Sequence, residues 1–214
     1  MTVRAKICGL STPETVRAAA DGGASHIGLN FFPKSPRYVE LEPAAILARP
    51  ARARGVKIVA VTVDPDDMFL DRLMATLKPD LIQLHGKETP ARAHQVAERT
   101  GVGVVKALSV SEASDIAAAA AFEPIVDHLM FDAKPPKDSE LPGGTGARFD
   151  WTIMAGRRFQ RPWLLAGGLD PWNVAEAIKL SGAPLVDVSS GVERGPRLKD
   201  PVLISAFLDA VRRA

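Results

Sequence analysis

The chain contains a single cysteine, Cys8, and this scarcity excludes several classes of protein. One thiol among 214 residues cannot form an internal disulfide or a multi-cysteine metal site. The four histidines are scattered and do not have the HExxH spacing of a zinc-binding helix. We therefore expect no disulfide framework and no bound metal.

Long apolar runs and blocks of one charge are also missing. No apolar run approaches the ~18 residues of a transmembrane helix. Met1 leads directly into a strand-like segment, without the charged and apolar regions of a signal peptide. The 27 basic and 25 acidic residues are interspersed, whereas a nucleic-acid site requires clustered basic residues. We expect a cytoplasmic protein that binds neither membrane nor nucleic acid, with no obligate protein partner.

Short apolar runs rich in β-branched residues alternate with helix-forming stretches along the whole chain. Strands are predicted over residues 5–8, 26–29, 57–63, 81–84, 102–107, 128–131, 163–166 and 185–188. Helices are predicted over residues 12–22, 42–50, 66–77, 88–99, 111–121, 149–156, 171–181 and 200–213. Eight strand–helix units with no linker predict an α/β fold, a single (β/α)8 TIM barrel domain over residues 1–214. A doubly wound open sheet is the alternative.

Both folds bind ligands at the carboxyl ends of their strands, and here strands 7 and 8 end in glycine-bearing loops. These loops are AGGLD at 166–170 and SSGVE at 189–193. Glycine amides beside a helix start can hold a phosphate, and barrels use these two loops for that purpose. Tight turns alone would also explain the glycines, but their presence in both loops favours a phosphorylated small-molecule ligand.

Other strand ends carry polar side chains. Asp132 ends strand 6 and precedes a long connection, 133–148, which contains GGTG at 143–146 and is predicted to be a binding loop or lid. Arg37 follows strand 2 and suits a carboxylate ligand. His85 follows strand 4 and is predicted to be a polar wall group of the site rather than a proton carrier.

Cys8 ends strand 1, and strand alternation places Lys6 on the same face. A buried lysine needs a partner, and strand 8 carries Asp187 where it would close the barrel beside strand 1. We therefore predict a Lys6–Asp187 contact inside the barrel. A lone cysteine is usually a small buried hydrophobic residue, but the position of Cys8 at the ligand-binding end favours a chemical role.

Several of these segments together resemble the phosphoribosylanthranilate isomerase family, whose members are (β/α)8 enzymes of tryptophan biosynthesis. The matching segments are KICGL at 6–10, GLNFFPKSPRYV at 28–39, QLHG at 83–86, FDA at 131–133, GGTG at 143–146, FDW at 149–151, LAGGLDPWNV at 165–174 and DVSSGVE at 187–193. They span nearly the whole chain.

The resemblance implies an Amadori rearrangement of N-(5-phosphoribosyl)anthranilate that needs no cofactor. It implies that Asp132 is the general acid, that Cys8 is the general base and that Arg37 holds the anthranilate carboxylate. It also places the phosphate among the amides of Gly144, Gly168, Ser190 and Gly191. Two alternatives remain open: another phosphate-binding barrel, such as an aminoaldose or sugar-phosphate isomerase, and a non-catalytic barrel that binds a phosphorylated metabolite.

Overall fold

A closed ring of eight parallel strands forms the centre of the molecule. The computed structural model describes residues 2–136, 139 and 142–214. The strands follow chain order around the ring: β1 Arg4–Cys8, β2 His26–Asn30, β3 Lys57–Thr62, β4 Leu81–Leu84, β5 Gly103–Val110, β6 His128–Ala133, β7 Trp163–Leu165 and β8 Leu185–Val188. Pairing of β8 with β1 confirms the predicted barrel and excludes the open sheet.

Six α-helices lie on the sequence between or after these strands: α1 Pro13–Asp21, α2 Leu41–Arg52, α3 Asp67–Thr76, α4 Pro90–Thr100, α5 Val174–Ser181 and α6 Pro201–Arg213. A short antiparallel hairpin, β9 Glu193–Gly195 and β10 Leu198–Lys199, separates β8 from α6. In the part of the chain that the structure describes, no helix is both long enough and apolar enough to span a membrane.

Two predicted helices form only 3-10 turns, over Asp115–Ala121 and Trp151–Met154. Before the first, the Asp115 carboxylate accepts hydrogen bonds from the amides of Ser111 and Glu112, which closes a tight turn. Alanine favours an α-helix, but helix propensity is a weak influence that local contacts such as this turn override.

Two Asp-Pro sequences, at 170–171 and 200–201, lie at predicted helix starts and have different outcomes. Asp200 caps α6, because its carboxylate accepts a hydrogen bond from the Val202 amide at 2.8 Å. Asp170 instead accepts from the amides of Trp172 and Asn173 in a separate turn, so α5 begins at Val174 rather than at 171. The predicted binding loop 133–148 is described except for residues 137, 138, 140 and 141, which lie outside the described residues.

The core has two layers, as expected for alternating side chains in a barrel. A large cluster contains outward-facing strand residues packed with helix residues such as Leu70, Phe207 and Val211. A smaller cluster contains the alternate strand residues Val59, Leu81, Val105, Ala107, Met130, Leu164, Ala166 and Leu185. Lys6 on β1, His26 on β2 and Asp187 on β8 are buried polar residues instead. The Lys6–Asp187 pair places two charged groups below the carboxyl ends of β1 and β8.

His26 on β2 is one such polar residue, and it makes the stability of the protein depend on pH. It is 3% exposed. Burial, followed by the positive charge of Lys6, lowers its pKa from 6.5 to about 3. Between these two pH values the unfolded chain binds a proton that the folded protein does not bind. The stabilisation is therefore complete above about pH 6.5 and is lost as the pH falls towards 3.

We expect the free energy of unfolding to be about 2 kcal/mol lower at pH 5 than at pH 7 on account of His26, at about 1.4 kcal/mol per pH unit below 6.5. Urea unfolding at the two pH values measures this difference. His26→Asn should reduce the difference, whereas His94→Asn is the matched control because the side chain of His94 is 60% exposed. An equal pH dependence in wild type and His26→Asn would contradict the assignment.

Candidate active site

A cavity opens at the carboxyl ends of the strands, where ligands bind in barrels. Seven of the eight predicted site residues line it: Cys8, Arg37, His85, Asp132, Gly144, Gly168 and Ser190. Gly191 does not line the cavity. A Cβ at Gly191 would lie 1.9 Å from the carbonyl oxygen of Leu169, so this glycine allows the loop after β8 to pack on the loop after β7.

Cys8 lies at the end of β1 with its side chain above a buried ion pair. Lys6 Nζ donates to Asp187 Oδ1 at 2.7 Å, which confirms the predicted contact between β1 and β8. A Cβ on Gly28 would lie 2.8 Å from Cys8 Sγ and 3.1 Å from Lys6 Nζ. The thiol of Cys8 and the ammonium group of Lys6 therefore both lie against Gly28 on β2. A side chain at position 28 would occupy the space that these two groups need.

The protonation of Cys8 is governed by opposing effects. Burial raises the pKa of the thiol above its ordinary value, and the positive charge of Lys6 opposes that rise. For Lys6 itself, burial would lower the pKa, but Asp187 and Cys8 together raise it above its ordinary value. Lys6 therefore keeps its proton and stabilises a thiolate whenever Cys8 loses its own.

Asp132 ends β6 in a small hydrogen-bonded group. His85 Nε2 lies 3.2 Å from Asp132 Oδ2, and the Gln83 side-chain amide nitrogen lies 2.9 Å from His85 Nδ1. Gln83 and Asp132 thus contact the two nitrogens of the His85 ring and fix its orientation. A Cβ on Gly143 would lie 2.5 Å from Asp132 Oδ2, so the loop after β6 packs directly on this group.

Arg37 already contacts a carboxylate that was not anticipated from the sequence. Its Nε and one terminal nitrogen donate to the two oxygens of Glu193, at 2.7 and 2.9 Å. Lys199 Nζ lies 2.8 Å from the same carboxylate. Burial alone would raise the pKa of Glu193, but Arg37 and Lys199 outweigh it and lower the pKa. The other terminal nitrogen of Arg37, NH1, lies 3.0 Å from the Cβ position of Gly144, towards the cavity.

The glycine loops present free backbone donors. Gly168 has a φ of +63°, a left-handed conformation that suits glycine. Among the described residues, the N–H groups of Gly167 and Gly168 have no hydrogen-bond acceptor. Ser190 begins a short 3-10 turn after the neighbouring strand β8 and also lines the cavity. Unpaired amides of this kind are typical of an anion site.

Sequence reasoning missed Glu193 and Lys199 as parts of this site. Glu193 is the last residue of the DVSSGVE segment, one of those on which the resemblance rests. The segment indicated that Glu193 lies near the site, but nothing in the sequence indicated that it contacts Arg37. Lys199 lies on β10, outside the barrel strands, and no spacing in the sequence connects it with Arg37.

The sequence of this chain is similar to those of known isomerases. The family model of N-(5'-phosphoribosyl)anthranilate isomerase matches residues 5–210. An N-(5'-phosphoribosyl)anthranilate isomerase of Caulobacter vibrioides is 70% identical over 98% of this chain and 96% of its own length. One from Brucella canis is 51% identical over 100% of this chain and 96% of its own length.

Solved structures of phosphoribosyl anthranilate isomerases are also similar to this chain. The phosphoribosyl anthranilate isomerase of Thermotoga maritima aligns with a TM-score of 0.87 and 33% identity, over 99% of this chain and 100% of its own. Another solved phosphoribosyl anthranilate isomerase, in complex with reduced 1-(o-carboxyphenylamino)-1-deoxyribulose 5-phosphate, aligns with a TM-score of 0.85 and 31% identity over the same shares. The chain therefore belongs to the N-(5'-phosphoribosyl)anthranilate isomerase family.

Proposed function

We propose that the protein isomerises N-(5'-phosphoribosyl)anthranilate to 1-(2-carboxyphenylamino)-1-deoxyribulose 5-phosphate in tryptophan biosynthesis, with Asp132 as general acid and Cys8 as general base. The observation that supports these roles most strongly is the placement of the two side chains. Both line one cavity, and β7 and β8 separate their strands around the ring. An acid and a base can therefore approach one sugar from different sides.

The first step is opening of the ribose ring. Asp132 donates a proton to the ring oxygen as the bond between that oxygen and C1′ breaks. The bond's electron pair goes to the oxygen, and the nitrogen lone pair forms the C1′=N bond of a Schiff base. A carboxyl group held by His85 and covered by Gly143 is oriented for this transfer. His85 thus belongs to the sugar end of the site.

The second step is removal of the C2′ proton. The Cys8 thiolate takes that proton, and the electron pair of the C–H bond forms a C1′=C2′ bond while the C=N pair returns to nitrogen. The resulting enolamine tautomerises to the ketone. Protons move, but no electrons leave the substrate, so the chemistry requires no redox cofactor.

Substrate binding uses the two ends of the cavity. Arg37 NH1 takes the anthranilate carboxylate, while the amides of Gly168 and Ser190 hold the phosphate. The Cβ position of Gly144 lies 3.0 Å from Arg37 NH1, which puts this glycine beside the carboxylate, and Gly191 packs against Leu169 outside the cavity lining. We further propose that residues 1–214 act as one barrel domain in the cytoplasm, without an obligate protein partner. A substrate with both a phosphate and a carboxylate does not cross a membrane unaided, so the enzyme works in the compartment where the substrate is made.

Turnover of freshly prepared phosphoribosylanthranilate by the purified protein tests this function. We expect the anthranilate fluorescence to fall faster than in the protein-free control, and a metal chelator to leave the rate unchanged. A rate no greater than spontaneous decay would refute the enzyme and favour a non-catalytic barrel that only binds a phosphorylated metabolite.

A further inference from the structure

Three charged side chains form a buried cluster behind the cavity: Arg37, Glu193 and Lys199. The side chains are 9%, 4% and 2% exposed. Glu193 binds both cations, at 2.7 Å from Arg37 Nε and 2.8 Å from Lys199 Nζ. The cluster thus contains two cations and one carboxylate.

Among the described residues, no second carboxylate contacts Lys199. The other acceptors of Lys199 Nζ are the carbonyl and hydroxyl oxygens of Ser189, at 2.8 and 3.2 Å, and both are neutral. Asp187, which also lines the cavity, is occupied by Lys6. A buried charge without a counter-ion is costly, so the cluster is suited to an anion that arrives with the ligand.

The geometry shows where that anion would bind. Arg37 lines the cavity, but Glu193 and Lys199 do not. Glu193 fixes one edge of the guanidinium plane and leaves NH1 facing Gly144. Within the described part of the chain, NH1 has no hydrogen-bond acceptor. Lys199 therefore does not touch the ligand and reaches its carboxylate only through Glu193 and Arg37, although its charge also favours the Cys8 thiolate.

We propose that Lys199 is a positioning residue that makes this end of the cavity selective for a ligand carboxylate. Without Lys199, Arg37 and Glu193 would form a neutral pair with little attraction for a second carboxylate. With Lys199, Glu193 is shared between two cations, and the guanidinium keeps positive charge for the ligand. This inference rests on the proposed function, since it takes the anthranilate carboxylate to be that anion.

Binding of two matched ligands by calorimetry tests the proposal. One ligand is the reduced product, 1-(2-carboxyphenylamino)-1-deoxyribulose 5-phosphate with its ketone reduced, and the other is the same compound without the ring carboxylate. Lys199→Gln should weaken binding of the first ligand roughly tenfold or more, as expected for one charge-assisted contact. It should leave the Kd of the second ligand unchanged. Lys199→Arg, which keeps the charge, should retain the preference for the carboxylate.

The possible results separate a specific role from a merely structural one. If Lys199→Gln weakened the binding of both ligands equally, Lys199 would only support the fold. If it left the binding of both ligands unchanged, the charge of Lys199 would have no influence. Either result overturns the proposal. Lys199→Met serves as a second neutral variant if Lys199→Gln does not fold. Failure of the proposed function gives a different result, because the wild-type protein would then bind neither ligand and show no turnover.

Discussion

Replacement of Cys8 by serine is expected to lower kcat by at least ~100-fold, the lower range for loss of a general base. Serine preserves the shape of the side chain, which is 8% exposed. Its hydroxyl loses a proton far less readily than a thiol, so it cannot remove the C2′ proton. Steady-state turnover of phosphoribosylanthranilate measures the loss.

The pH dependence of the same reaction identifies the group that is lost. Burial raises the pKa of the Cys8 thiol, so the thiolate is a minority at neutral pH. The kcat/KM of the wild-type enzyme should therefore increase as the pH rises towards that pKa, and the Cys8→Ser variant should not show this increase. An unchanged Kd for the reduced product would show that the variant's site is intact. Near-normal turnover would remove Cys8 from the mechanism.

Replacement of Asp132 by asparagine is expected to lower kcat by roughly 10²–10⁴-fold, the usual range for a general acid. Asparagine has nearly the same shape, and its oxygen can still accept a hydrogen bond from His85 Nε2, which lies 3.2 Å from Asp132 Oδ2. It has no acidic proton for the ring oxygen. The loss should therefore appear in kcat more than in the binding of the reduced product.

Asp64→Asn is the matched control for this experiment. Asp64 also follows a barrel strand, and its carboxylate accepts a hydrogen bond from the Lys87 amide, a contact that asparagine can keep. Its φ of +45° is a conformation that asparagine tolerates well. Turnover of Asp64→Asn should match that of wild type. If Asp132→Asn were equally active, ring opening would need another proton donor.

The barrel could be predicted because each of its strands has a recognisable local sequence pattern and the pattern repeats eight times. Each strand is a short apolar run, and eight such runs at even spacing leave few folds open. The Lys6–Asp187 pair followed from the same regularity, since closure of the ring sets β8 beside β1 and alternation places both side chains inside. These are consequences of strand geometry rather than of any particular contact.

The features that could not be predicted depend on contacts between distant residues. Arg37 and Glu193 are 156 positions apart, and their pairing depends on how two irregular loops pack over the barrel. Lys199 reaches the site from the hairpin β9–β10, for which the sequence has no strand-like period. The α-helix predicted over the alanine-rich segment 117–121 is wrong for a different reason. Its local helix preference is clear, but the tight turn at Asp115 overrides it.

The deuterium isotope effect on kcat, measured with substrate deuterated at C2′, tests the central claim most directly when the Cys8→Ser and Asp132→Asn variants are compared. Loss of the base slows cleavage of the C2′–H bond, so the account predicts a larger isotope effect in Cys8→Ser than in wild type. Loss of the acid slows ring opening, in which that bond stays intact, so the effect should disappear in Asp132→Asn. Equal isotope effects in the two variants, or the reverse order, would contradict the assignment of Cys8 as base and Asp132 as acid.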